Sequence, residues 1–332
     1  MRYSSALQRA TSSRLTPSDL FGGGVLVRHR DSNSLISLFR GHPVRSLSIP
    51  SGQLVVGDPW DFANRRPLNL RLRPGRYAVY EAANEMDAGE DGAGLLLQIS
   101  TSRVVRWHMH ARVGIDGARI AFGDAGMARR PNRNWVDRLS NGTDLGPHFA
   151  SSRVPGDGGY PLRSGFDARG QLAALAVTAL DVRRYSPWPP PGSRIPPLDL
   201  SSLDACLTWA RAVGGEQAII RPGRLGQETL AALRSIAGRA IPVDLRRYYA
   251  THTPWVGEGA SLGTFVQAAR SGVAGSTFPV AVESADSLSV MREDGTVDST
   301  YQGSTMGTNR DLKAWVVLNS IAVHDLHRIS PE

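Results

Sequence analysis

Residues 103–112, Arg-Val-Val-Arg-Trp-His-Met-His-Ala-Arg, carry basic side chains at four alternating positions: Arg106, His108, His110 and Arg112. Successive side chains on a strand point to opposite faces. That alternation predicts Arg106, His108, His110 and Arg112 on one face and Val105, Trp107, Met109 and Ala111 on the other. Two imidazoles spaced this way can ligate a metal as neutral rings. The flanking arginines disfavour a nearby cation, so no metal is expected. A cationic face can instead receive phosphate or a partner's carboxylates. A solvated outer face of a sheet is the plainer alternative. Asp116, Asp124 and Asp157 could join His108 and His110 in an acid/base or metal centre. General acid–base work needs positioned groups with shifted pKa, and aspartates beside glycine usually shape turns.

The segment Val154 to Val177 raises a second possibility. Gly156-Asp157-Gly158-Gly159 could cradle a phosphate if it opened a helix, because amides at a helix start point at the anion. Tyr160 and Pro161 follow it, and Asp167-Ala168-Arg169-Gly170 is a turn signal between two strand-like runs. Strand, tight turn and strand is the predicted order. A calcium loop needs oxygen ligands at alternate positions and a closing glutamate, and Asp157 stands nearly alone. In residues 127–138, Arg129, Arg130, Arg133 and Arg138 surround Trp135. Arginines with an exposed aromatic can bind single-stranded nucleic acid; a basic loop with Trp135 tucked against the sheet edge is the alternative. There is no Gly-x-Ser-x-Gly elbow, no His-Glu-x-x-His and no Walker lysine. The reading leans away from an enzyme and expects no cofactor.

The elements that must position these residues divide the 332-residue chain in two. Up to residue 183 short apolar or alternating runs are punctuated by Gly, Pro, Asp and Asn. They are 35–40, 44–49, 52–56, 67–72, 76–82, 95–100 and 103–112, a pattern of β-sandwich or barrel-like folds. In 67–72 Leu68, Leu70 and Leu72 alternate with Asn69 and Arg71, which predicts a half-buried antiparallel strand. Residues 184–200 hold prolines at 187, 189, 190, 191, 196 and 197. Proline fixes φ and removes a donor, so neither helix nor sheet is expected there, only a semi-rigid spacer.

Beyond it the period becomes helical. Leu203, Leu207, Ala210 and Val213 form one stripe, with Ser201 and Asp204 as the cap. Leu230, Leu233, Ile236 and Ala237 form another, closed by Gly238. Shorter helices are expected at 243–250 and 261–272, strands at 277–284, 287–291 and 295–301, and a helix at 309–326. The fold class is therefore α+β: a β-rich sandwich or barrel-like domain at 19–183, a linker at 184–200, and a smaller α+β domain at 201–332. Residues 1–18 read as a flexible basic tail.

Charge follows the same division. The first 200 residues hold 26 basic and 17 acidic side chains, the remainder 12 and 13. Lys313 is the only lysine. A basic half favours acidic partners, and an acidic protein is preferred over nucleic acid. No apolar run is long enough for a membrane span. Cys206, the single cysteine, falls in a helical apolar pattern, reads as a small buried hydrophobe and suits a reducing cytoplasm.

Gly-Asp-Gly-Gly-Tyr-Pro at 156–161, followed by 165–177, resembles the hallmark of a largely bacterial family catalogued as domain of unknown function 4241. Residues 49–59, 72–82 and 114–126 are similar to its other segments, in order, across about 49–182. The resemblance implies a β-rich fold and a role for Asp157 and Tyr160 in the loop. Residues 228–255 resemble the entry of the SUKH superfamily: a helix, a break at Ala240-Ile241-Pro242, and a helix ending in Tyr248 and Tyr249. Many SUKH proteins are immunity factors of bacterial toxin systems. Together these readings imply a non-enzymatic bacterial interaction protein, of the kind of an immunity or toxin-associated factor. A hydrolase or nuclease using His108 and His110 with the aspartates is the first alternative, and a nucleic-acid binder the second.

Overall fold

The computed structural model describes residues 15–29, 36–85, 92–129, 146–154, 156–180, 185–189, 193–214, 221–254, 265–267, 277–282, 287–301 and 304–329. The described chain is α+β and rich in strand, as its patterning predicts. A short helix α1 (Pro17–Leu20) leads into β1 (Val25–His29), β2 (Ile36–Ile49), β3 (Leu54–Gly57), β4 (Gly75–Asn84) and β5 (Gly92–Gln98). Then come β6 (Arg106–Ile115), β7 (Arg119–Asp124), helix α2 (Ala125–Ala128), β8 (Phe149–Arg153), β9 (Gly158–Phe166), β10 (Leu172–Thr178) and β11 (Tyr185–Trp188). Eight strands form one antiparallel sheet in the order β11-β1-β2-β4-β5-β10-β9-β6, and β3-β7-β8 form a second.

The two sheets enclose a core. Leu47, Val79, Leu97, Leu162 and Val177 of the large sheet meet Leu54, Val56, Ile120 and Phe122 of the small one. Phe122 is fully buried there; truncating such a side chain to alanine costs about 3–5 kcal/mol. On the other face of the large sheet, Leu20 and Phe21 cover Val27, Phe39, Ala82 and Ala176. Gly41 is required at that contact, since a Cβ would lie 2.2 Å from the Phe21 carbonyl oxygen.

The second half contains α3 (Leu203–Gly214), a two-strand pair of β12 (Arg221–Pro222) and β13 (His252–Thr253), α4 (Gln227–Ala237) and α5 (Val243–Thr251). A four-strand meander follows, β14 (Phe278–Val282), β15 (Ser287–Met291), β16 (Val297–Tyr301) and β17 (Ser304–Asn309), and then helix α6 (Leu312–Ile329). The stripe Leu203, Leu207, Ala210 and Val213 is buried as its spacing requires. The cap lies one residue later than expected: the Ser202 hydroxyl accepts from the Ala205 amide at 3.1 Å. Gly238 closes α4 in the left-handed conformation, which glycine adopts without a Cβ clash.

Four expectations change. Residues 67–72 are not a strand. Pro67 and Pro74 flank them, and they bond to β3 through Leu68 N to Leu54 O and to the turn before it through Leu72 N to Gly52 O, with one isolated bridge between Gln53 and Arg71. Leu68, Leu70 and Leu72 still pack into the core. Residues 185–188 are a strand despite their proline: Pro187 lies opposite Val27 on the outermost strand, where a missing N–H is tolerated. The basic tail ends earlier than residue 18, because Leu15 and Pro17 are buried and Thr16 and Asp19 form a capping box. Sequence patterning also overlooked β1, β7 and β8. The expected helix at 261–272 lies largely outside the described residues.

The halves also share packing. Leu26, Ile36, Leu38 and Trp188 of the large sheet belong to the same apolar cluster as Leu200, Leu207, Tyr248, Phe278 and Trp315.

Candidate functional site

The glycine loop introduces a strand. Gly156 has φ +138° and Gly158 has φ +154°, values side-chain-bearing residues rarely adopt. The Tyr160 hydroxyl donates to the Gly156 carbonyl at 2.6 Å, tying the loop to its own strand. Gly158 and Gly159 already pair with Ile115 and Gly114, and the Gly156 amide donates to the Val154 carbonyl at 2.7 Å, so no helix starts here. Asp157 is exposed at the bend.

The basic strand differs from its expected alternation by one residue. Met109 lies opposite Arg163 and Ala111 opposite Leu162, which leaves His110 as a bulge. A bulge resets the alternation of side chains beyond it. Arg106 and His108, opposite Phe166 and Ser164, therefore share a face with Ala111 and Val113. Arg112 falls on the face of Trp107 and Met109, so the four basic residues do not form one row. The Arg106 guanidinium lies 5.9 Å from the Phe166 ring centroid, and His108 meets the same ring edge-on at 5.6 Å. His110 Nδ1 and Ser164 Oγ share a hydrogen bond of 3.2 Å. Arg112 donates to the Gly159 carbonyl at 2.8 Å. All four basic side chains are exposed.

The structure does not gather the candidate acids around these histidines. Asp116 follows the far end of β6; eight residues from His108 at about 3.3 Å each is about 26 Å. Asp157 precedes Gly158, the partner of Ile115, and so sits at the Asp116 end. Asp124 is buried and shapes the backbone. Its Oδ2 accepts from Ser51 N at 2.9 Å and Ser51 Oγ at 2.6 Å, and its Oδ1 caps α2 through Met127 N at 3.0 Å. Asp58 holds the Asp116 turn in the same way, accepting from the amides of Asp116 at 2.9 Å and Gly117 at 2.6 Å. Among the described residues no His, Cys, Asp and Glu group is placed to hold a metal ion. Arg129 is exposed after α2, while Arg130, Arg133, Trp135 and Arg138 lie outside the described residues.

A charged cluster that the sequence did not reveal sits where the halves meet. Glu85, just after β4, is fully buried. Its Oε1 lies 2.5 Å from His42 Nε2 and its Oε2 accepts from Arg40 at 2.8 Å. Arg40 also donates to Asp311, at the start of α6, at 2.7 Å. The Glu85 carbonyl accepts from the Arg310 amide at 3.1 Å. Burial alone would lower the Arg40 pKa, but the carboxylates of Asp311 and Glu85 outweigh it and raise it. Burial pushes the Asp311 carboxyl up; the Arg40 guanidinium and the Ala314 amide outweigh that and hold it below the usual range. Each charge is answered within the cluster, which suits it to holding strands and helix together. The local signal is Arg40-x-His42 on a strand, but Asp311 is 271 residues from Arg40 and no short motif links them.

Cys206 is buried, and that burial pushes its thiol up to about 12, with smaller charge effects from Lys313, Asp311, Asp199 and Arg40. It is a packing residue without a ready thiolate. No helix among the described residues is long and apolar enough to cross a membrane. Comparison with protein-family models, curated proteins and solved structures finds no match to this chain.

Proposed function

We propose that the chain is a protein-binding factor whose contact surface is the exposed stretch Val105–Arg112, and that its partner is acidic. The observation that carries this reading is a mixed apolar and cationic surface on one outermost strand. Val105 is 59% exposed and Met109 56%, beside the exposed side chains of Arg103, Arg106, His108, His110 and Arg112. Among the described residues no carboxylate pairs with Arg106 or Arg112. Apolar side chains ringed by arginine suit a protein contact, and the charge steers an acidic partner.

The second half supports a bacterial immunity or toxin-associated role in a reducing cytoplasm. Helix α4, a break and helix α5 with buried Tyr248 and Tyr249 follow the SUKH-like order. The scattered positions of His108, His110, Asp116, Asp124 and Asp157 give the hydrolase reading no common centre.

A photo-crosslinking residue at Met109, with one at exposed Val243 as control, tests the proposal in the producing cell. The expected result is an adduct with an acidic protein from position 109 alone, lost in the Arg106→Glu/Arg112→Glu variant. A nucleic-acid adduct, or none, overturns it.

A further inference from the structure

Strand β6 ends the eight-stranded sheet and is hydrogen-bonded on one side only, to β9. In an antiparallel pair every second residue turns its N–H and C=O away from the neighbour. The outer edge of β6 therefore presents a row of backbone donors and acceptors, and its two halves differ. Over the C-terminal half the Gly114 carbonyl accepts from the Arg65 guanidinium at 2.6 Å. Over the N-terminal half, no hydrogen bond from another described residue reaches the outer backbone edge of Arg106–Met109.

From this edge we infer the mode of binding: an acidic, extended segment of the partner adds to β6 as a further strand. Its backbone pairs with Arg106–Met109, and its carboxylates lie near Arg106 and His108, which share a face. The inference rests on the acidic-partner reading above. Strand addition draws affinity from main-chain bonds and specificity from alternate side chains. The edge carries five basic side chains from Arg103 to Arg112 and no acid until Asp116, which specifies the charge of the occupant. A second copy of this chain would set like charges opposite one another, a destabilising arrangement. The His110 bulge limits the docking stretch, because bulges bend and twist a strand away from flat pairing. The same bulge and arginines guard the edge against indiscriminate sheet growth.

The test uses the full chain and a short synthetic peptide of alternating valine and glutamate. Two twins are N-methylated on alternate residues, so that only one of them loses the N–H groups facing β6. Binding is read by fluorescence anisotropy and by hydrogen exchange at Arg106–Met109. The expected result is binding of the parent peptide with protection of the outward amides. One twin binds about tenfold weaker and the other like the parent. Equal binding by both twins overturns strand addition and leaves a side-chain contact. No binding by the parent, with the Met109 adduct still formed, overturns strand addition alone. No binding and no adduct overturns the acidic-partner reading as well. Self-association that Met109→Arg abolishes replaces the acidic segment with a second copy and overturns the inference.

Discussion

Arg40-Gly41-His42 and Arg106-Trp107-His108 carry the same two functional side chains at the same spacing, each on a strand of the same sheet. Their surroundings are opposite. On β2, inside the sheet, Arg40 and His42 meet the fully buried Glu85, and Arg40 also reaches Asp311. On β6, at the sheet's edge, Arg106 and His108 meet only the Phe166 ring among the described residues. Alternation puts arginine and histidine on one face in both cases. The strand's place in the sheet decides whether the charges are answered internally or offered outward.

The largest effect should come from breaking the inner cluster. Glu85→Ala removes the fully buried carboxylate that Arg40 and His42 share, which costs about 3–5 kcal/mol. It should appear as a lower urea midpoint at unchanged slope. A loss under 1 kcal/mol would mean that the cluster does not bind the halves together. Asp311→Asn should cost less, about 1–2 kcal/mol, because Asp311 is 33% exposed on its side chain and water partly screens the pair. The depressed Asp311 carboxyl stabilises the fold above its ordinary unfolded value. That contribution fades as pH falls through the lower folded value, so the gap between wild type and Asp311→Asn should close in acid.

His252 sharpens the comparison from the other side. It is buried, and its Nε2 lies 3.4 Å from the Arg211 guanidinium. Burial first, and Arg211 second, lower its pKa. The unfolded chain therefore binds the proton more tightly, and stability should fall as pH drops below about 6.5 toward the lower folded value. Urea midpoints across that range measure it, and His252→Gln should flatten the trend. Tyr160→Phe removes the hydroxyl bond that ties the glycine loop, a loss of about 1 kcal/mol. The smallest stability effect belongs to the outer strand. Arg106→Gln should leave the urea midpoint within about 0.5 kcal/mol of wild type.

Legibility in the sequence divided along physical lines. Amphipathic stripes such as Leu203, Leu207, Ala210 and Val213 were readable because helix period and burial coincide. The glycine loop was readable because Tyr160 and Pro161 deny it a helix. The segment 67–72 misled, since alternating leucines mark a buried face whether or not ladder bonds form. Strand β11 was hidden because proline argues against a strand except at a sheet edge, and edge position is a tertiary fact. The His110 bulge was invisible, as nothing in His-Met-His-Ala marks the extra residue. Among the candidate acids, Asp124, expected to shape a turn beside glycine, holds Ser51 and caps α2. The Arg40, His42, Glu85 and Asp311 cluster depends on bringing β2 against α6, which no local pattern encodes.

The central claim is that β6 spends its arginines on a partner and β2 spends its arginine on the fold. Titration of the alternating valine–glutamate peptide against wild type and Arg106→Glu/Arg112→Glu, with urea midpoints on the same samples, tests it most directly. The account predicts binding lost in the variant at an unchanged midpoint. Unchanged binding, or binding lost only together with the fold, would contradict it.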